Sequence, residues 1–266
     1  VLTTPLGRLL MFQNTPLEWG KKGIIELKAT SDFTALTGHN NTDEVLAPVH
    51  EALKNAETVL LLNDFTGGAK ATGTKSGVYT VNAKYEGEQG NNISVSFVPS
   101  PLADGANTQD VTVTTIFGTK QVDQVKITLP KANTDAIAKA GLTKEEQLEI
   151  HNDYVDITFG TPAEVTSELV AKGEYPLYTA IFNGLTQSAT NVTLTGGTNG
   201  TNNVVNDMDD YLENEFYAVA TTAGWEESSN IHKLLAEETK LLRENVGIKV
   251  RAVIPNTTNV AYNYEG

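Results

Sequence analysis

Few residues in this chain have types and spacing that could do chemistry, and each can be weighed by its neighbours. Asp207, Asp209 and Asp210 crowd one short stretch. If that stretch is helical they stand early in the helix, where carboxylates are electrostatically welcome, and this explains them better than a catalytic pair. Leu194-Thr-Gly-Gly-Thr-Asn-Gly200 precedes the same stretch as a phosphate cradle would. It lacks the Gly-Lys-Ser/Thr ending that supplies a lysine and a magnesium ligand, so a turn needing positive φ accounts for its glycines. The run Phe216–Ala220 is not followed by a Gly-x-Gly-x-x-Gly turn either. His39, His50, His151 and His232 lie far apart, and no two fall at i, i+3 or i, i+4. Asp104, Asn107 and Asp110 could touch a calcium ion from a loop but miss the EF-hand spacing; a solvated hairpin loop explains them. No serine sits in a Gly-x-Ser-x-Gly elbow. The absence of cysteine removes a thiol nucleophile, a thiolate metal site and a disulfide framework together. No catalytic, cofactor-binding or metal-binding residue is assigned, no cofactor is expected, and the chain is not expected to be an enzyme.

The bulk numbers agree. In 266 residues, 39% hydrophobic and 20% charged, there is room for one large domain or two ordinary ones. No apolar run approaches the ~20 residues of a membrane span, so no membrane insertion is expected. The net charge of −14 argues against a nucleic-acid partner, which needs clustered Lys and Arg. The chain begins at Val1 and stops after Tyr264-Glu-Gly266, which reads as a fragment.

The elements that must position everything else are densest near the C-terminal end. Val204, Val205, Met208, Tyr211 and Leu212 recur at helical spacing; Phe216–Ala220 reads as a buried strand. Ser228 or Ser229 then caps a helix whose stripe is Ile231, Leu234, Leu235, Leu241 and Leu242, stopped by Gly247. Ile248–Ile254 is a second strand, closed by Pro255. Strand, helix, strand of this length implies a right-handed crossover between parallel strands. At the other end Arg8–Phe12 and Gly23–Lys28 read as strands. Ser31 caps a turn carrying Phe33 and Leu36 that ends at Gly38. Thr42 opens a helix with Val45, Leu46, Val49, Leu53 and Ala56 on one face, with Pro48 in its first turn, and Thr58–Leu62 is a buried strand.

Between these ends the period changes to two. Tyr79, Val81, Ala83 and Tyr85 alternate with polar residues, as do Ile93, Val95 and Phe97, then Val125, Ile127 and Leu129, then Val155, Ile157 and Phe159. This marks antiparallel strands with one face in water. A helical interruption is expected near Lys144–Ile150 and a weaker helix over Thr161–Lys172, with Asn63–Gly77 and Gly184–Asn203 as loops or linkers. The fold class is therefore α/β (α+β overall): a discontinuous α/β core, 1–75 and 193–266, into which an antiparallel β-rich sandwich or barrel-like domain, 76–192, is inserted.

One stretch is sharper than pattern. Lys84-Tyr-Glu-Gly-Glu-Gln-Gly-Asn-Asn-Ile93 joins two alternating strands and resembles the Tyr-x-Gly-x-x-Gly-Asn-Asp-Ile-like turn of contractile tail sheath proteins of bacteriophages and related tail-like particles, with Asn92 in place of the common Asp. Further landmarks follow in family order: Pro16-Leu-Glu-Trp-Gly20, Phe33-Thr-Ala-Leu-Thr-Gly38, Thr58-Val-Leu-Leu-Leu62, His151-Asn-Asp-Tyr-Val155, Leu194–Gly200, Leu242–Asn256 and Tyr264-Glu-Gly266. The resemblance implies a structural sheath subunit that stacks as hexameric rings around a tail tube and drives it through the bacterial envelope by contraction. It implies self-association when full length, with the tail tube protein, baseplate and tail terminator as partners. The location it implies is the virion tail, assembled in the host cytoplasm, of an infectious phage, a prophage or a tail-like bacteriocin. In the family the C-terminal domain lies against the tube; this chain, lacking it, is expected to be monomeric. A carbohydrate- or surface-binding module is the alternative suggested by a Thr- and Asn-rich β domain.

Overall fold

Leu10, Phe12, Leu60 and Leu62 alternate along their strands with Leu9, Met11, Val59 and Leu61. Both faces of the central strands are thus apolar, and each needs its own cover. The computed structural model, which describes residues 6–131, 147–161, 166, 168, 176–204, 211–212, 218–223, 229–247 and 250–254, shows how this is met. The chain divides into two compact units, Val1–Ala69 with Tyr85–Gly87 and Thr198–Gly266, and Lys70–Lys84 with Glu88–Gly197.

In the first unit β1 (Leu6–Phe12), β2 (Gly23–Leu27) and β3 (Ala56–Asn63) join two late strands, β14 (Ala218–Thr221) and β15 (Arg251–Ala252), in the order β15-β14-β1-β3-β2. Every pairing is parallel except β2 with β3. Residues Leu10, Phe12, Leu60, Leu62, Val219 and Ala252 form one apolar face. A late helix (Ser229–Leu241) brings Ile231 and Leu235 onto it, with Val204 and Leu212 alongside. The opposite face, Met11, Val59, Leu61 and Ala220, is met by Val49 and Leu46 from α2 (Ala47–Leu53) and its preceding 3-10 turn, and by Phe33 of α1 (Phe33–Thr37). Pro48 sits in the first turn of α2, where its missing N–H is no loss.

The second unit holds two antiparallel sheets. One has the order β10-β11-β6-β5 and is built from β5 (Lys70–Lys75), β6 (Tyr79–Glu86), β10 (Leu148–His151) and β11 (Val155–Phe159). The other, β12-β7-β8-β9, contains β7 (Ile93–Pro99), β8 (Thr108–Phe117), β9 (Lys120–Pro130) and β12 (Thr190–Thr193). Their inner residues form an aromatic core: Tyr79 stacks on Phe97 at 4.5 Å, and Phe97 meets Phe159 edge-on at 6.1 Å. Such pairs add ~0.5–1.5 kcal/mol beyond area burial. Thr72 and Thr195 exchange backbone hydrogen bonds of 2.8 and 3.0 Å where β5 nears β12, which closes that side. Helix α3 (Pro176–Thr186) contributes buried Ile181 and Leu185; the Ser229–Leu241 helix is α4.

This is the discontinuous α/β core with a β-rich insertion, and the period-two residues face inward as read: Val81, Ala83, Ile93, Val95, Phe97, Val155, Ile157 and Phe159 are fully buried. Several local expectations fail. The Asn63–Gly77 linker contains β5 and the two-residue β4 (Phe65–Thr66), and the Gly184–Asn203 loop contains the end of α3, β12 and β13 (Thr201–Asn202). Their small, polar residues pair because neighbouring strands supply partners, a signal composition does not carry. Leu148–Ile150 is strand rather than helix, because it pairs with β11 from Phe159 to Ile157. Asp32, not Ser31, caps α1, accepting a bond from the Ala35 N–H, while the Ser31 hydroxyl serves Lys28 N–H. Ala56 belongs to β3. Leu241 is 47% exposed, whereas Leu242, where α4 gives way to a wider π-type turn (Leu242–Val246) ending at Gly247, packs against the core as read. The Thr161–Lys172 helix, Ser228, Phe216 and Tyr217, Ile248 and Lys249, and the C-terminal Tyr264–Gly266 landmark lie wholly or mostly outside the described residues.

Candidate functional site

In open α/β sheets, ligands sit beyond the carboxyl ends of the strands at the point where strand order reverses. Here that point is β1, flanked by β14 and β3. The chain's own amides hydrogen-bond to one another's backbones there. Asn202 Nδ2 donates to the carbonyls of Gln13 (2.9 Å) and Asn14 (2.6 Å), and Asn14 N–H donates to Thr222 Oγ1 (2.9 Å). Asn63 Oδ1 accepts from Leu17 N–H at 2.9 Å, and Asn63 Nδ2 reaches the Lys21 carbonyl. Buried Asp64 lies 3.8 Å from Lys22 Nζ and 3.4 Å from Asn203 Nδ2. Each such bond contributes ~0.5–1.5 kcal/mol net. Together they tie the ends of three strands to the segment leaving the Gly-rich turn. Sequence reasoning passed over these asparagines; their repetition just past strand ends (Gln13-Asn14, Asn63-Asp64, Asn202-Asn203) was the available signal.

The residues singled out for chemistry do not come together. Asp207, Asp209 and Asp210 lie outside the described residues. Asp104 and Asn107 are exposed in the loop before β8, whereas Asp110 is on β8 itself. Asp110 is paired with Thr128 Oγ1 and Lys126 Nζ, whose hydrogen bonds hold its carboxyl below the usual range. His39 faces Asp43 at 3.4 Å, His50 packs on Phe33 at 4.8 Å, and His232 is buried. His151 on β10 lies 2.7 Å from Asp156 and 3.1 Å from Glu149. Its pKa is raised chiefly by the Asp156 hydrogen bond and next by Glu149. For Asp156, burial pushes the pKa up, but the bonds from His151 and Lys84 prevail and leave it lowered. Among the described residues no group of three or more His, Asp or Glu is placed to hold a metal ion, and no helix is long and apolar enough to cross a membrane.

What does come together is the set of structural landmarks. Trp19 is fully buried, donates from Nε1 to the Ala35 carbonyl at 3.1 Å, and meets Tyr85 edge-on at 5.2 Å. Gly38 lies so close that a Cβ there would stand 2.5 Å from Trp19 Cβ. Gly87 has φ +130°, and a Cβ on it would fall 1.9 Å from the Glu18 carbonyl oxygen. The Leu17–Gly20, Phe33–Gly38 and Tyr85–Gly87 landmarks therefore form one knot. In the second unit Asn91 reads the Gly-rich turn, exchanging two bonds of 2.8 and 2.9 Å with the backbone of Gly197.

Among the described residues, Ala218 and Ala220 of β14 help to floor an apolar groove of about 620 Å³ beside α2, between Pro48, Ala52 and Asn55 on one bank and Val253 and Ile254 on the other. Exposed Arg8 and Arg251 flank it.

With this geometry in hand, the comparisons define a class. No family model matches the chain. A sheath tail protein from Desulfitobacterium hafniense superposes over 97% of this chain and 51% of its own, with TM-score 0.61 and 23% identity. A sheath tail protein from Listeria innocua does so over 96% and 49%, with TM-score 0.62 and 19% identity. The chain has the fold of phage-type sheath tail proteins. Among proteins similar in sequence, the Bacillus subtilis (strain 168) phage-like element PBSX protein XkdK is 29% identical over 256 residues, 93% of this chain and 47% of its own length. The uncharacterized protein YqbK of the same strain is 27% identical over 241 residues, 90% and 46%. The chain thus spans about half the length of the relatives it matches.

Proposed function

We propose that the chain is part of a structural subunit of a contractile phage-type tail sheath. The observation that carries this reading is the likeness to two sheath tail proteins over 96–97% of the chain, joined by the resemblance to a phage-like element protein over 93% of it. The work assigned is assembly and contraction around a tail tube, with copies of the same protein, the tube, the baseplate and the terminator as partners and the virion tail as location. A structural, non-catalytic role is part of this reading, and the likeness to sheath tail proteins supports it. Electron microscopy of the full-length protein tests the reading: tubular polymers are expected, and a dispersed protein beside its own tube protein would overturn it. The 266-residue chain by itself is expected to sediment as a monomer at moderate concentration, because small side contacts are weak.

A further inference from the structure

The groove beside α2 is an apolar floor with cationic flanks on a chain of net charge −14. The bank formed by α2 holds one acid, Glu51, and that acid is already paired with Lys54 at 2.5 Å. The groove therefore suits an occupant that is apolar at its tip and acidic just behind it. The same chain displays such a segment. The end of β7 and the start of the loop to β8, Val98-Pro-Ser-Pro-Leu-Ala-Asp104, leave Val98 47% and Leu102 44% exposed, the large exposed apolar side chains described in the second unit. Pro99 and Pro101 fix two φ angles there, so that docking orders little that is not already ordered. Asp104 follows Leu102 by two residues and is exposed.

We propose that the groove receives the Val98–Asp104 segment of a second copy, with Leu102 seated on Ala218 and Ala220 and Asp104 turned to Arg8. Because groove and loop are different patches, the contact is heterologous. It propagates into a ring or helix instead of closing as a dimer, which is what a sheath lattice requires; the inference rests on the sheath reading in that respect. Opposite charges bring the patches into register. The buried area is small, in the range of a crystal contact below ~800 Å², so the docking belongs to concentrated protein or an assembled lattice and leaves the dilute chain monomeric.

The chain has no cysteine, which makes disulfide trapping a clean test. Asn55→Cys on the groove bank and Leu102→Cys at the loop tip are made in separate preparations, checked for fold by circular dichroism, mixed at high concentration and equilibrated in a glutathione redox buffer. The expected result is a mixed Asn55→Cys/Leu102→Cys disulfide in clear excess over that formed when exposed Ser76→Cys replaces either partner. Adding Arg8→Glu to the groove copy is expected to lower the yield about fivefold, the upper range of an exposed ion pair, and Asp104→Arg in the loop copy to restore it. Trapping no better than the Ser76→Cys control overturns the proposal, as does an Arg8→Glu effect that Asp104→Arg fails to reverse. Tubes from full-length protein that carries Leu102→Asp with undiminished yield also overturn it while leaving the sheath reading intact. Trapping without tubes from the full-length protein would do the reverse.

Discussion

Replacing Gly87 by alanine tests whether the landmark knot in the first unit is the rigid object its geometry describes. Gly87 is buried, with φ +130°. An L-residue held there costs ~1–3 kcal/mol from backbone strain. The new methyl group would lie 1.9 Å from Glu18 O, 2.4 Å from Glu18 C and 3.0 Å from Trp19 N. These are main-chain atoms, so no side-chain rotation relieves the overlap and Leu17–Gly20 must shift. That segment carries fully buried Trp19, whose complete loss to alanine costs ~3–5 kcal/mol. Displacing part of that packing, on top of the strain, brings Gly87→Ala to about 3–5 kcal/mol. Gly67→Ala is the control: φ there is +71° with nothing within 4 Å of the built Cβ, so only the left-handed penalty of ~1–2 kcal/mol applies. Glycine's extra freedom in the unfolded chain, ~0.4–1 kcal/mol, is common to both and cancels in the difference. Urea unfolding followed by far-ultraviolet circular dichroism gives both values. A second layer comes from the Trp19→Ala background: the segment is freer to move, and the Gly87→Ala cost should fall toward that of Gly67→Ala. Equal, small costs at positions 87 and 67 would refute the reasoning, and so would an undiminished Gly87→Ala cost without Trp19.

Asn202→Ala removes both donors to the Gln13 and Asn14 carbonyls and is expected to lose ~1–3 kcal/mol in the same unfolding assay; a loss below ~0.5 kcal/mol would show that water replaces the amide freely. Phe97→Ala, between Tyr79 and Phe159, should cost ~3–5 kcal/mol. We propose that the two units, Lys70–Lys84 with Glu88–Gly197 and the flanking remainder, are separately cooperative domains, so calorimetry of Phe97→Ala should lower one transition and leave the other in place, whereas a joint shift would merge them. His151 titrates above its ordinary 6.5 because Asp156 and Glu149 favour its charged form. Its stabilisation is complete below the unfolded value and lost as pH rises through the higher folded value. A nuclear magnetic resonance titration should place the imidazole midpoint above 6.5, and Asp156→Asn should bring it down; an unmoved midpoint would remove the pairing.

The sequence alone determined which residues face inward in strands whose period is unmistakable. Ile93, Val95 and Phe97, or Val155, Ile157 and Phe159, can be buried only together, because side chains alternate across a strand, and all six are fully buried. It also determined α4, where Ile231 and Leu235 repeat at helical spacing and Gly247 terminates the following turn. The absence of cysteine and the charge of −14 were legible as exclusions, and the ordered landmarks carried the resemblance that implied assembly. Tertiary structure decided the rest. Lys70–Lys75 contains little that favours a strand, yet it is β5, because β6 and the Thr195 backbone supply its hydrogen bonds. Leu148–Ile150 follows a Lys-Glu-Glu run suited to a helix, yet β11 draws it into a ladder. Asn63 and Asn202 are ordinary asparagines in sequence; only the fold brings them to the same strand ends. Gly87 announces a turn, but its need to be glycine comes from Glu18, which is far away along the chain and adjacent in space. Local spacing encodes which face of an element is apolar. Which partner completes a ladder, bonds a strand end or forbids a Cβ is set by segments distant in sequence, and no local window of the chain contains them.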